Sequence, residues 1–583
     1  MIEKIRHRMD GKTYKILQLL LFTVLVIQLV RYVIYGKLDL ADEGYRFYLS
    51  WSVVQKDLIL YRDVFTRYAP GYVVLPGMFM KITGFTIYWF RIYNSILTII
   101  IVYGLYLISK RFTRSELVST YTLSFVVLAW IPVIPNFKTG RILFVIPYFL
   151  FGRKLLTQRV DWRNIVVLGF VVTLAGIMSH EVGAFLTFSS IVLIYLSCAE
   201  ITGRAYFVFG KRAAIFIASG ALFTLPALAY YSYHNAVGFL IHDLVFSTLE
   251  YSETMGLPVW YLPQKTLSGF EVTVIGVLRT MLNLSGVILL ALPVLLIAIG
   301  AVWLLSGTLD KTNIRDRQLI WVATLTGLFY ITALGRSDLS HVAVSLVPAI
   351  VLLSLIVDIY MKSNGPLEFD NEALFAEKNI KYLGILLVLS GLVFYTGGAG
   401  VVHSIYSTST NSVESELPAT GNLQVEQEKH ANIKETIEAV DDHKREDTTL
   451  VSLAYRPGYY PLTDSVPPTR YGMFVPGALN ETAVENVIEK MNNTHTLIVY
   501  EQNSGIRASE GVLTLRDSYP RLYQYMTNEC ELIHTVERHS RVYSCPDTNP
   551  DALASEPPSS ASAPSLESTT NTPIVSARSA PTQ

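Results

Sequence analysis

A chain of 583 residues in which 51% are hydrophobic and only 16% are charged, with a positive mean hydropathy, is too apolar for an ordinary soluble domain. Its 47 basic residues balance its 47 acidic ones, so no global field points to nucleic acid or to an acidic partner. The informative quantity is where the charges sit.

Apolar runs long enough to cross a bilayer recur over roughly the first 400 residues, each closed by a small charged cluster. About eleven spans are predicted, at 16–35, 87–109, 115–134, 141–156, 165–180, 182–199, 213–232, 285–305, 318–335, 342–361 and 382–403. Short cytoplasmic loops retain Lys and Arg. The basic stretch MIEKIRHRMDGKTYK therefore sets the N-terminus inside, and every second connection after it is basic. These connections hold Lys110, Arg111 and Arg114, then Arg153, Lys154, Arg159 and Arg163, then Arg204, Lys211 and Arg212, then Lys311, Arg315 and Arg317. An odd number of spans places everything after His403 outside. The first run is longer than a signal-peptide core and no small-residue cleavage site follows it, so it is expected to stay as an anchor. The expected setting is the cell membrane, crossed many times, with a cytoplasmic N-terminus and an extracytoplasmic C-terminal domain.

The first external segment, 37–86, opens with LADEGYR, which puts Asp42 and Glu43 a few residues beyond the first span. Phe47, Trp51, Val54 and Leu58 follow on one face of a helix suited to the membrane interface. Then comes YRDVFTRYAPGY, with Arg62, Asp63, Arg67 and Tyr68. Acids at a membrane surface are ordinarily just solvated. An acidic pair, an interfacial helix and a second charged cluster together read as a site, with Asp42 and Glu43 as catalytic candidates and the other four as substrate-binding candidates.

Farther along, Lys138 and Arg141 in PNFKTGR are basic residues on the external side. That runs against the positive-inside trend and invites an anionic ligand. His180 and Glu181 interrupt apolar sequence at the external junction of two spans, where ionisable groups are costly unless used. Arg336, Asp338 and His341 share one short external turn, for which an internal ion pair is the bland alternative. The second long external segment, 233–284, is long enough to carry function or structure of its own. Some motifs fail. Gly11, Lys12 and Thr13 mimic the end of a phosphate-binding loop, but the earlier glycine is replaced by Arg6. No zinc spacing and no dinucleotide fingerprint occurs.

Beyond the spans, 1–403, the chain divides into a connector at 404–434, an external domain at 435–546, and a Ser/Pro/Thr-rich tail at 547–583 expected to be disordered. The external domain alternates strand-like TTLVSLAY and HTLIVYE with helical ETAVENVIEKM and YPRLYQYM before a closing ELIHTVERHSRVYSC, which reads as a small α/β unit. Cys530 and Cys545 fall there, and an oxidising compartment permits a disulfide between them.

LADEGYR after the first span, YRDVFTRYAPGY and the short apolar helix ending KITG resemble the GT-C membrane glycosyltransferases. Within that superfamily they are similar to the dolichyl-phosphate-mannose protein mannosyltransferases, the aminoarabinose lipid A transferases and their prokaryotic relatives. HDLVF, GRSDLSH and YYPLTDSVPPTRY also look like motifs of those relatives, so the resemblance covers most of residues 1–546. It implies an α-helical polytopic fold with a small extracytoplasmic α/β C-terminal domain. It also implies a hexosyl- or pentosyltransferase that takes sugar from a polyprenyl-phosphate donor and passes it, with inversion, to a glycan, lipid or protein acceptor. The position matching the family's acidic base is Asp42. Arg67 is then the first candidate for the donor phosphate, with Lys138 and Arg141 behind it. The second external loop, PNFKTGR, lacks the acidic residue that several relatives place there, which leaves a divalent cation, with Glu181 and Asp63 as its candidate holders, as an expectation only. The rival class is a multi-pass transporter of an anionic or lipid-linked substrate. Transporters tend to set their ligand groups at the midplane, between broken or repeated helices.

Overall fold

The computed structural model describes residues 11–546 apart from 364–411 and shorter stretches, chiefly 199–203, 265–273, 306–312, 476–478 and 502–505. The predicted span at 382–403 and the tail at 547–583 lie outside the described residues.

Each of the other ten predicted spans coincides with a helix. In chain order the N-terminal elements are α1 (Gly11–Tyr35), α2 (Asp42–Val54), α3 (Pro70–Thr83), α4 (Ile87–Thr113) and α5 (Glu116–Phe125), which runs on into a π turn at Val126–Trp130. A 3-10 turn at Asn136–Ile142 leads to α6 (Val145–Thr157), α7 (Trp162–Met178), α8 (His180–Leu196) and α9 (Ala205–Tyr233). Two short helices, α10 (Val237–Ile241) and α11 (Ser247–Met255), flank a π turn at His242–Phe246. The last of this set are α12 (Val274–Leu305), α13 (Ile314–Gly335) and α14 (Leu339–Ser363). Among the described residues five helices, Lys12–Tyr35, Ile87–Thr113, Ala205–Tyr233, Ile314–Gly335 and Ser340–Ile359, are long and apolar enough to cross a membrane.

The helix ends follow from local chemistry. Thr86, Ser115 and Ser179 each accept a bond from the backbone N–H three residues on, which starts α4, α5 and α8. Pro70 opens α3, where a missing N–H costs nothing. The bundle core centres on Trp130 and Trp321, both fully buried. Trp130 donates to the Ala343 carbonyl at 2.7 Å, and Trp321 donates to Ser189 Oγ at 3.1 Å, so each buried indole N–H has an acceptor.

Regular structure is already present within the predicted connector. β1 (Ser412–Glu414) and β2 (Gln424–Glu426) pair within the predicted connector, and α15 (Gln427–His443) starts there too. From there the chain reads β3 (Thr449–Leu453), α16 (Tyr459–Leu462), α17 (Glu481–Asn492), β4 (Thr496–Glu501), β5 (Ile506–Ala508), β6 (Gly511–Leu513), α18 (Leu515–Ser518), α19 (Pro520–Glu529), β7 (Glu531–Val536) and β8 (Ser540–Cys545). The main sheet has the order β3-β4-β8-β7, with β3 and β4 parallel and the other pairs antiparallel. The predicted strands and helices of this domain are all present, and its closing segment is the β7-β8 hairpin. Cys530 and Cys545 are joined by a disulfide that ties the two ends of that hairpin.

α2 corrects one expectation. It stops at Val54, so Leu58 lies beyond it, and it is buried on every face rather than along one stripe. Its outer side is covered by the C-terminal domain: Tyr48 packs on Tyr460, ring centroids 4.8 Å apart, and Gly44 lies against Gly458, whose N–H donates to the Leu40 carbonyl at 3.0 Å. One hydrophobic core therefore runs from the first loop into that domain through Phe47, Tyr61, Ile437, Tyr459 and Val499.

Candidate active site

Asp42 and Glu43 stand in the first turn of α2, where the positive end of the helix dipole favours carboxylates. Although adjacent, they have different partners. Glu43 is buried in a two-pronged ion pair with Arg91 of α4, at 2.9 and 2.7 Å, and accepts the Tyr32 hydroxyl at 2.8 Å. Arg91 spends its other N–H groups on the carbonyls of Tyr32, Gly36 and Lys37, so the pair pins the exit of α1 to α4. Asp42 keeps half of its side-chain surface accessible although charged groups surround it. Its Oδ1 accepts the Tyr455 hydroxyl at 2.7 Å and lies 3.7 Å from Arg46.

Arg46, one turn along α2, is the hub of this site. It donates to Tyr72 at 3.1 Å, to Tyr68 at 2.7 Å and to the Asp42 carbonyl, and it lies over the Phe137 ring at 4.3 Å. Tyr72 in turn donates to the Phe137 carbonyl, which couples α3 to the 3-10 turn carrying Lys138 and Arg141. Lys138 is buried and donates to Ser340 Oγ at 2.7 Å. Arg141 is paired with Glu181 at 2.6 Å.

Beside Lys138, Asp338 accepts from Arg336 at 2.6 Å, from Ser340 at 2.6 Å and lies 2.8 Å from His341. The predicted turn is thus a closed network tied to Lys138 through Ser340. His180 neighbours the Arg141–Glu181 pair, and its Nε2 is buried with no hydrogen-bond partner among the described residues.

The protonation states follow from these placements. Burial pushes the Lys138 ammonium down to about 8, against the raising pull of Asp338 and Asp42. Burial likewise pushes Asp42 up, but Arg46, Lys138 and the Tyr455 hydrogen bond outweigh it and hold the carboxyl below its ordinary value. Asp338 is desolvated yet is kept well below the usual carboxylate range by His341, Lys138 and Arg336.

Two predicted groups bond to partners other than Asp42. Arg62 and Asp63 form a surface pair at 2.7 Å. Arg67 donates to the Ser247 carbonyl and hydroxyl at 3.0 and 2.9 Å, in the segment 233–284. Arg46, Tyr72, Arg91 and Tyr455 were missed by sequence reasoning. Arg91 had a signal, an arginine inside an apolar run, which needs a buried partner. Tyr455 had none, being 413 residues from the carboxylate it touches.

A bundle of long apolar helices joined to a C-terminal α/β domain, with an accessible acid heading α2, is the architecture of a polytopic membrane protein. No family model matches the chain and no curated protein matches it. Among solved structures it is similar to ArnT from Cupriavidus metallidurans bound to undecaprenyl phosphate, at 11% identity and a TM-score of 0.51, covering 90% of this chain and 97% of that one. The apo state of that ArnT gives 0.49 at 11% identity over the same shares. The Archaeoglobus fulgidus oligosaccharyltransferase complexed with zinc and sulfate gives 0.43 at 12% identity, covering 82% of this chain and 67% of that one.

Proposed function

We propose that this chain is a membrane glycosyltransferase that moves a sugar from a polyprenyl-phosphate donor to an extracytoplasmic glycan, lipid or protein acceptor, with Asp42 as the base. The observation that carries the reading is one accessible, ionised carboxylate beside two fixed cations, Arg46 and Lys138, at the head of the helix bundle. That ArnT shares this fold and holds undecaprenyl phosphate supports a lipid-phosphate donor.

In the reaction Asp42 removes the proton of the acceptor hydroxyl as its oxygen bonds to the anomeric carbon. The bond from that carbon to the phosphate oxygen breaks, and its electron pair leaves with the lipid phosphate. A single displacement of this kind inverts the anomeric centre. Lys138 is the first choice to stabilise the phosphate charge, ahead of Arg67, because it shares Asp42's surroundings while Arg67 turns to Ser247. Glu43 serves as an anchor for α2 rather than a second reacting acid, because Arg91 takes both of its oxygens. No step is drawn through a divalent cation: Glu181 and Asp63 are each engaged by an arginine, and among the described residues no three acidic, His or Cys side chains converge to hold one.

The test is transfer of radiolabelled sugar from a panel of polyprenyl-phosphate sugars to membrane acceptors, comparing wild type with Asp42→Asn. Loss of a general base predicts a drop of about 10² to 10⁴-fold at unchanged membrane level. Undiminished transfer by Asp42→Asn rejects the base, and transport of the same donors without transfer supports the rival class.

A further inference from the structure

We propose that Tyr455, from the C-terminal domain, is a positioning residue of the active site: its phenol fixes Oδ1 of Asp42 and leaves Oδ2 to take the acceptor proton. This rests on the reading of Asp42 as the base.

Three independent features carry it. The first is the bond itself, 2.7 Å from Tyr455 Oη to Asp42 Oδ1, on the same oxygen that Arg46 approaches. With one hydrogen bond on Oδ1 and the Arg46 charge 3.7 Å from the same oxygen, the carboxylate has a preferred plane, and Oδ2 has no hydrogen-bond partner among the described residues. The second is backbone strain. Tyr455 has a φ of +61°, a conformation that costs a non-glycine residue of order 1 kcal/mol and tends to persist where structure holds it for function.

The third feature is how that turn is held. Ser452, at the end of β3, donates to the Arg456 carbonyl at 2.7 Å, and the Tyr460 hydroxyl accepts the Ser452 N–H at 3.2 Å. Gly458 seats on Leu40, just before α2, and Arg456 is paired with Glu501 of β4 at 2.6 Å. The sheet therefore aims the Tyr455 ring, which meets Tyr45 with centroids 6.3 Å apart, at a carboxylate on another domain. A phenol serving only to fill space needs neither the left-handed turn nor the bond. The consequence is that the base is assembled by domain docking: without the C-terminal domain, Asp42 loses the group that orients it.

The charged and titratable groups facing Asp42 are Arg46 on its own helix, Asp39 and Glu43 beside it in sequence, Lys138 from the 3-10 turn, His341 from the first turn of α14, and Tyr455. Among these, deleting the phenol hydroxyl alone changes one donor to the ionised form. Such a bond favours the charged carboxylate, so its loss raises the Asp42 pKa.

The experiment uses the full chain in membranes, as wild type, Tyr455→Phe and Asp42→Asn, with two readouts. One is pH-dependent labelling of carboxyls by a carbodiimide, which reacts with the protonated acid, read by mass at the Asp42 peptide. The other is the pH profile of sugar transfer. In Tyr455→Phe, which keeps the ring and its packing, the labelling midpoint is expected about one pH unit higher, with the acidic limb of transfer moving by the same amount. An unmoved midpoint overturns the proposal even if transfer falls, because a fall alone is what a packing role gives. Full transfer by Asp42→Asn overturns the reading of the base, and the positioning role with it, while inactive Asp42→Asn with an unshifted Tyr455→Phe leaves the base standing and removes only Tyr455.

Discussion

Two neighbouring acids in one helical turn carry opposite consequences. Glu43 and Arg91 are both buried, and removing one partner of such a pair leaves an uncompensated charge at a cost of about 3–5 kcal/mol. Glu43→Gln is therefore expected to lower the thermal midpoint of detergent-solubilised protein sharply, while Asp42→Asn, half exposed, leaves the midpoint unchanged and removes transfer. The double variant Glu43→Leu with Arg91→Met removes both charges and is expected to recover much of the loss. Thermal midpoints for the three proteins decide it; a Glu43→Gln protein as stable as wild type would refute the anchoring role. At this scale LADEGYR could be singled out in the sequence, but not the different partners of its two acids. The division of labour depends on Arg91, 48 residues away from Glu43, and on Tyr455 in another domain.

The elements were the most legible part of the chain, because a bilayer demands apolar runs of a set length and a half-buried sheet demands alternation. Helices α15 and α2 show where that logic fails. α15 is polar overall and its first half falls in the predicted connector, yet that half already buries His430 and Ile433, in line with Ile437 and Val440 farther along. α2 reads as an amphipathic interface helix because its aromatic stripe is visible, while the small residues that let a domain cover its other face carry no hydrophobic signal. Gly44 is the clearest of these. A Cβ there would meet the Gly458 backbone at 2.9 Å, so neither chain can yield by a rotamer change. Overpacking of that kind costs about 1–3 kcal/mol. Gly44→Val is expected to loosen the C-terminal domain from α2, seen as faster protease release of the segment after 411, with transfer falling in step. Protease resistance equal to wild type would show that this contact does not hold the domain.

Across the whole molecule, three segments far apart in sequence meet at one arginine. Arg470 of the C-terminal domain pairs with Asp243 of the π turn at 2.6 Å and donates to the Tyr61 carbonyl in the loop between α2 and α3. Its own carbonyl accepts from Phe65 at 2.7 Å, and its guanidinium lies among Phe65, Phe239 and Tyr471. The sequence singles out HDLVF, YYPLTDSVPPTRY and YRDVFTRYAPGY one by one, but nothing in them shows that the three meet. Asp243 is fully buried, and burial already pushes its carboxyl above the ordinary value despite Arg470. In Arg470→Met the acid loses its main counter-charge, and its folded pKa rises further. An acid with a raised folded pKa binds more protons folded than unfolded, so stability declines as pH rises from the unfolded pKa through the folded one. The deficit of Arg470→Met relative to wild type is therefore expected to be small near about pH 5 and to approach about 3–5 kcal/mol near about pH 8. Asp243→Asn in the same background removes the buried charge and is expected to flatten that dependence. Thermal midpoints of the three proteins at both pH values measure it, and a deficit that is the same at both would mean that Arg470 holds the three segments by packing on its aromatic neighbours and not by neutralising Asp243.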